Sequence, residues 1–119
     1  MRVFLVEDSP LLRTRLEAML AAIPGAEAAG YAEGADEAIR EILARRPDAV
    51  VLDIHLKQGN GFDILRVVAK TAPEVAFYVL TNYPAQGYRA SAERLGARGF
   101  FDKSSEFARL RDALAAAAA

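Results

Sequence analysis

The 119-residue chain has no cysteine, and its only histidine is His55. Without cysteine there is no disulfide framework, thiol nucleophile or thiolate metal site, and one histidine cannot build a multi-histidine zinc centre. Basic excess is missing too: 15 Lys+Arg against 16 Asp+Glu leave a formal net charge of -1. Phosphate backbones and anionic lipids need a basic surface, so neither direct nucleic-acid binding nor membrane attachment is expected. No apolar stretch reaches the roughly 18 residues of a membrane span, and the N-terminus lacks a signal-peptide core with a cleavage site. With 53% apolar residues the chain can bury a real core, which excludes intrinsic disorder. The expectation is a cytoplasmic protein forming one domain over residues 1–119, with no effector domain in this chain.

Short apolar runs alternate with amphipathic stretches. Val3-Phe4-Leu5-Val6 stops at Glu7-Asp8, and Ser9-Pro10 then offers an N-cap followed by proline at the first helical position. Leu12, Leu16, Met19 and Ile23 recur at helical spacing up to Pro24-Gly25. The weak alternation of Ala26 to Ala32 predicts an edge strand, and Ala35, Ala38, Ile39, Ile42 and Leu43 form a second helical stripe. The run from Ala49 to Leu52 ends in Asp53, and the loop Gly59-Asn60-Gly61 leads to a third helix carrying Leu65, Val68 and Ala69. Val75 to Leu80 ends at Thr81, and a fourth helix is expected from near Pro84 to about Leu95. Gly99-Phe100-Phe101 ends at Asp102-Lys103, and Phe107, Leu110 and Leu114 mark the last helix. Strand followed by helix, five times over, predicts a doubly wound parallel sheet covered on both faces, of flavodoxin-like strand order 2-1-3-4-5.

In such a sheet, ligands bind outside the carboxyl ends of the strands. Those ends carry Glu7 and Asp8, Asp53, Thr81 and Lys103, which should gather in one crevice. Clustered carboxylates raise one another's pKa unless a cation sits among them, and an oxygen-only ligand set selects a hard ion such as Mg²⁺. Lys103 and the Thr81 hydroxyl suit a phosphoryl group. An acid nucleophile, a divalent ion and a cationic clamp make a phosphoryl-transfer site, with Asp53 as phosphoacceptor.

On these residues the sequence resembles the receiver domain of two-component response regulators over essentially its whole length. The markers are the acidic pair in "VFLVEDSP", the aspartate in "VVLDIHLKQGNG", the threonine in "VLTNY" and the lysine in "GFFDKS". The resemblance implies that Asp8 and Asp53 bind Mg²⁺ directly, joined by the backbone carbonyl of His55 and a water-mediated contact from Glu7. It also implies that Asp53 accepts a phosphoryl group from a sensor histidine kinase or a histidine phosphotransfer protein, and that Lys103 and Thr81 then hold it. Phe100 falls where the family keeps an aromatic side chain that moves inward on activation. The fourth helix, last strand and last helix are the surface that a downstream protein partner or a second copy of the chain would read. By the same likeness His55 and Tyr83 flank the path of the hydrolytic water, and the Tyr83 ring is expected to slow decay.

Four positions depart from the family pattern. Lys57 and Ser104 stand where proline is usual, Asn82 is larger than the usual small residue, and Phe100 lacks the hydroxyl of the commoner tyrosine. The resemblance implies a cis bond after Lys103, but without proline the cis form costs about 2.5–4 kcal/mol, which leaves the Lys103–Ser104 bond open between cis and trans.

Each residue also has a plainer role. Glu7-Asp8 could be helix N-terminal acids and Asp53 a strand-end cap. Thr81 could be a loop hydroxyl, and Lys103, like Arg89, Arg94, Arg98, Arg109 and Arg111, part of a solvated face. Gly59-Asn60-Gly61 lacks the Walker lysine and reads as a turn. Two other functions compete: a pseudo-receiver acting as a phosphorylation-independent interaction module, and a small flavodoxin-like enzyme or nucleotide binder. The complete set of acids, threonine and lysine disfavours the first, and Glu7-Asp8 in the first strand–helix turn would repel the unchelated phosphate that the second requires.

Overall fold

The computed structural model describes residues 1–82 and 86–119, and of residue 86 the backbone alone; Tyr83 and Pro84 therefore lie outside the described residues. Five parallel strands run in the order 2-1-3-4-5: β1 (Arg2–Val6), β2 (Glu27–Ala32), β3 (Ala49–Leu52), β4 (Ala76–Thr81) and β5 (Gly99–Asp102). The helices are α1 (Pro10–Ala21), α2 (Ala35–Arg45), α3 (Gly61–Thr71), α4 (Gln86–Arg94) and α5 (Phe107–Ala118). This is the expected flavodoxin-like topology. None of these helices is long and apolar enough to cross a membrane.

Period-2 alternation sends each strand's side chains to two cores. Phe4, Val6, Val50, Leu52, Phe77, Val79 and Phe100 face one cluster with residues of α2, α3 and α4. Val3, Leu5, Ala49, Val51, Tyr78 and Leu80 face the other, with residues of α1 and α5. A strand covered on both faces must be apolar throughout, which explains the unbroken runs. β2 lies at the edge, and its mixed burial accounts for its weak pattern.

Local chemistry sets the helix starts. The Ser9 hydroxyl accepts the Leu12 N–H at 3.3 Å with Pro10 at the first position, and the Asn60 side chain accepts the Phe62 N–H at 2.7 Å. The Gly59-Asn60-Gly61 turn thus caps α3. It also braces α2, because the Gln58 carbonyl accepts the Ala35 N–H at 2.9 Å.

Element ends differ from the sequence reading by a residue or so. β1 begins at Arg2, whose N–H donates to Asp48 Oδ2 at 2.7 Å. α1 closes at Ala21, while Ile23 beyond it stays buried in the α1–α5 core. Ile64, outside the apolar positions read for α3, is fully buried, whereas Phe101 and Phe107 are only half-buried. Of the side chains described in α4, Ala92 is the one fully inside a core.

Candidate functional site

The sheet register puts the polar residues side by side. Val6 pairs with Leu52, and Thr81 with Asp102, so Glu7 and Asp53 emerge together, and Lys103 emerges one step beyond Thr81. The ladder continues past the strands: Asp53 N–H donates to the Val6 carbonyl at 3.1 Å and Lys103 N–H to the Thr81 carbonyl at 2.9 Å.

The Lys103 ammonium lies 2.8 Å from Asp53 Oδ2 and 2.8 Å from Glu7 Oε1. Asp53 Oδ1 accepts the His55 N–H at 3.1 Å, Glu7 Oε2 the Ser9 N–H at 3.0 Å, and Asp8 Oδ2 the Lys57 N–H at 2.7 Å. That last bond requires a residue other than proline at position 57, so a departure from the family pattern supplies a donor. Ser104 behaves alike: its N–H and hydroxyl both donate to Asp102 Oδ1, at 2.9 and 2.7 Å. Among the described residues no peptide bond is cis, so Lys103–Ser104 is trans.

Oxygens of Glu7, Asp8 and Asp53 lie within 4.8 Å of one another, around a cleft of about 360 Å³ that Lys103, Lys57 and Asn82 also line. Burial pushes the Glu7 carboxyl above the usual carboxylate range, against the pull of the Lys103 ammonium and the Ser9 N–H. Burial alone would lower Lys103, yet its hydrogen bonds to Asp53 and Glu7, with the attraction of both charges, hold it above its ordinary value. Three carboxylates against Lys103 and Lys57 still leave a surplus of negative charge, and an oxygen-only donor set of this size fits a hard divalent cation.

Glu7, Asp8, Asp53 and Lys103 are therefore brought together as the sequence predicts. Thr81 is fully buried, with an exposure of 0%, and does not line the cleft, whereas Asn82 does. The His55 imidazole is exposed and meets the Tyr88 ring edge-on at 5.4 Å, so it leans on α4. Phe100 is already inside, 4% exposed. Arg89 is not a plain solvated arginine: its guanidinium sits 4.9 Å from the Phe100 ring centroid, donates to the Phe100 carbonyl at 3.1 Å and lies 3.7 Å from Glu106. Arg13 was missed altogether; its signal was a position on the Leu12–Leu16 face of α1.

A doubly wound sheet with acids and a lysine meeting at its carboxyl edge defines an α/β protein with a polar crevice at its switch point. The chain belongs to the response regulator receiver domain family, whose pattern it matches over residues 3–115. It is 34% identical over 102 residues to the DNA-binding transcriptional activator DevR/DosR of Mycobacterium tuberculosis, covering 86% of this chain and 47% of that protein. It is 36% identical over 110 residues to protein-glutamate methylesterase/protein-glutamine glutaminase 2 of Anaeromyxobacter dehalogenans, covering 92% of this chain and 32% of that one. The chain thus spans less than half the length of either relative. Among solved structures, a LuxR-family two-component response regulator from Aurantimonas sp. SI85-9A1 superposes with a TM-score of 0.90 at 28% identity, covering 98% of this chain and 84% of that one. The response regulator domain of Thermotoga maritima CheB gives 0.85 at 25%, covering 99% and 92%. The chain is thus a receiver domain, a signalling module; relatives that are methylesterases act through other domains. Receiver domains bind Mg²⁺ at an acidic pocket, and response regulators work with histidine kinases and output domains.

Proposed function

We propose that this receiver domain is a phosphorylation-controlled switch in the cytoplasm, with Asp53 as phosphoacceptor. The observation that carries this reading is the placement of Lys103 between Asp53 and Glu7, with Asp8 in the same cleft. An Asp53 oxygen forms a bond to phosphorus as the P–N bond of a partner's phosphohistidine breaks, and the electron pair returns to the imidazole. Hydrogen bonds from His55 N–H and Lys103 hold the carboxylate against rotation, so the nucleophile is oriented before the donor arrives. Asp8, Asp53 and the His55 carbonyl, with Glu7 through water, would hold Mg²⁺, which supplies charge neutralisation of the transferring group. Lys103 turns from Glu7 to the phosphoryl oxygens, and the buried Thr81 turns its hydroxyl into the cleft to donate to them. The signal leaves along β5. Phe100 and Lys103 lie on the same short segment, and Arg89 ties Phe100 to α4 and to Glu106 at the entry to α5. The surface of α4, β5 and α5 is accordingly the one a downstream partner, output domain or second copy reads. Incubation with Mg²⁺ and a small acyl phosphate tests the core of this reading: a hydroxylamine-labile mass gain of one phosphoryl group on Asp53 is expected, and none would refute it.

Asp8→Asn keeps an acceptor for the Lys57 N–H but removes a ligand charge. With Mg²⁺ at about 100 times its Kd the wild type should gain about 2.7 kcal/mol, roughly 10 °C in Tm. The variant should show almost no gain; a wild-type shift would place the metal elsewhere.

Lys103→Ala should tighten Mg²⁺ binding, because the competing ammonium leaves Asp53 and Glu7. It should also uncouple phosphorylation from amide-shift changes around Phe100 in NMR spectra. Weaker Mg²⁺ binding in this variant would contradict the competition.

A further inference from the structure

Arg13 is the buried cation of α1. Its side chain is 11% exposed, and a guanidinium is expensive to bury unless it is paired and hydrogen-bonded. One nitrogen, Nη1, donates to the Glu7 backbone carbonyl at 2.7 Å and to Glu33 Oε2 at 3.1 Å, and the guanidinium stacks 4.2 Å from the Tyr31 ring centroid. Glu33 is 54% exposed, so that ion pair is screened by water and weak. The bond to Glu7 is the buried one.

Glu7 is held at every polar atom. Its N–H donates to the Ala32 carbonyl at 3.1 Å and its carbonyl accepts from Arg13. Its two carboxylate oxygens accept from Ser9 N–H and Lys103. Arg13 is thus the α1 side chain that sets the peptide plane between Glu7 and Asp8, from which both carboxylates project. Without it the Glu7 carbonyl loses its buried partner, and the chain end that carries two of the three acids is free to turn.

We propose that Arg13 is a positioning residue for the Mg²⁺ site: through the Glu7 carbonyl it holds Glu7 and Asp8 in ligating register. This rests on the metal reading given above. The sign of the effect separates it from simple electrostatics, because removing a nearby positive charge would by itself tighten Mg²⁺ binding. Loss of positioning weakens it.

The test is a MgCl₂ titration followed by backbone amide NMR shifts at Glu7, Asp8 and Asp53, on the wild type and on Arg13→Met, Arg13→Gln, Arg13→Lys and Glu33→Gln. Arg13→Met should raise the Mg²⁺ Kd about tenfold. Its phosphorylation rate with a small acyl phosphate should return close to wild type once Mg²⁺ is saturating. Arg13→Gln leaves a polar tip that falls short of the carbonyl; it carries the same expectation if the methionine variant does not fold. Arg13→Lys, able to reach the carbonyl with one ammonium, should recover most of the affinity. Glu33→Gln breaks the exposed ion pair alone and should stay within about twofold of wild type. Unchanged or tighter binding in Arg13→Met and Arg13→Gln overturns the proposal, as does a loss in Glu33→Gln equal to that in Arg13→Met. If the wild type itself shows no saturable shifts at these amides, the metal reading fails and the proposal goes with it.

Discussion

Asp53→Asn should lower phosphoryl incorporation by more than about a thousandfold, to the background of non-specific labelling, while the domain stays folded. The asparagine keeps the shape of the side chain and an oxygen for the His55 N–H, which Asp53 Oδ1 now accepts at 3.1 Å. What it loses is the charged nucleophile and the oxygen that accepts from Lys103 at 2.8 Å. Asp53 is 6% exposed and packed at the end of β3, so a near-isosteric change leaves the surrounding core undisturbed. Intact-mass spectrometry after treatment with Mg²⁺ and a small acyl phosphate measures incorporation, and circular dichroism confirms the fold. Labelling of the variant at wild-type yield would show that another group is the acceptor.

Gly61→Ala should destabilise the domain by about 3 kcal/mol, against a total of about 5–15 kcal/mol for a native domain. Helix propensity alone favours alanine at such a position by about 1 kcal/mol. Steric contact wins, because a Cβ at Gly61 would lie 2.5 Å from the Asp53 carbonyl oxygen and 2.7 Å from Ile54 Cα. Both are backbone atoms of the segment that carries Asp53, and Gly61 N–H itself donates to the Ile54 carbonyl at 2.8 Å. The loop can give way only by moving Asp53, so phosphorylation should slow along with the loss of stability. Gly87→Ala is the control: among the described residues nothing lies within 4 Å of its Cβ position on α4, and it should be neutral or mildly stabilising. Urea unfolding of both variants decides the matter, and equal midpoints for Gly61→Ala and wild type would remove the steric argument.

Arg89 anchors α4 to β5 through the Phe100 ring and carbonyl. Phe100 is buried, with the Arg89 guanidinium 4.9 Å from its ring centroid. Arg89 also approaches Glu106, and Glu106 Oε1 accepts the Asp102 N–H at 3.0 Å, so a continuous chain of contacts joins α4 to the end of β5 beside Lys103. An arginine on a helix reads in sequence as solvated, and only its neighbours reveal that it is anchored.

Much of the architecture was legible because its information is local. Apolar runs such as Val50-Val51-Leu52 mark strands covered on both faces, Ser9-Pro10 and Asn60 carry their caps in their own chemistry, and parallel topology forces Glu7, Asp8, Asp53 and Lys103 to one edge of the sheet. Tertiary packing decided the rest. It set where strands begin, since Arg2 joins β1 through Asp48, 46 residues away. It buried the Thr81 side chain, drew Arg13 under Glu7, and made Gly61 the residue against which Asp53 rests. These depend on which distant groups meet. A chain states its periodicities and end signals residue by residue, whereas the partner of a buried charge or the atom beside a missing Cβ exists only once the helices have closed on the sheet.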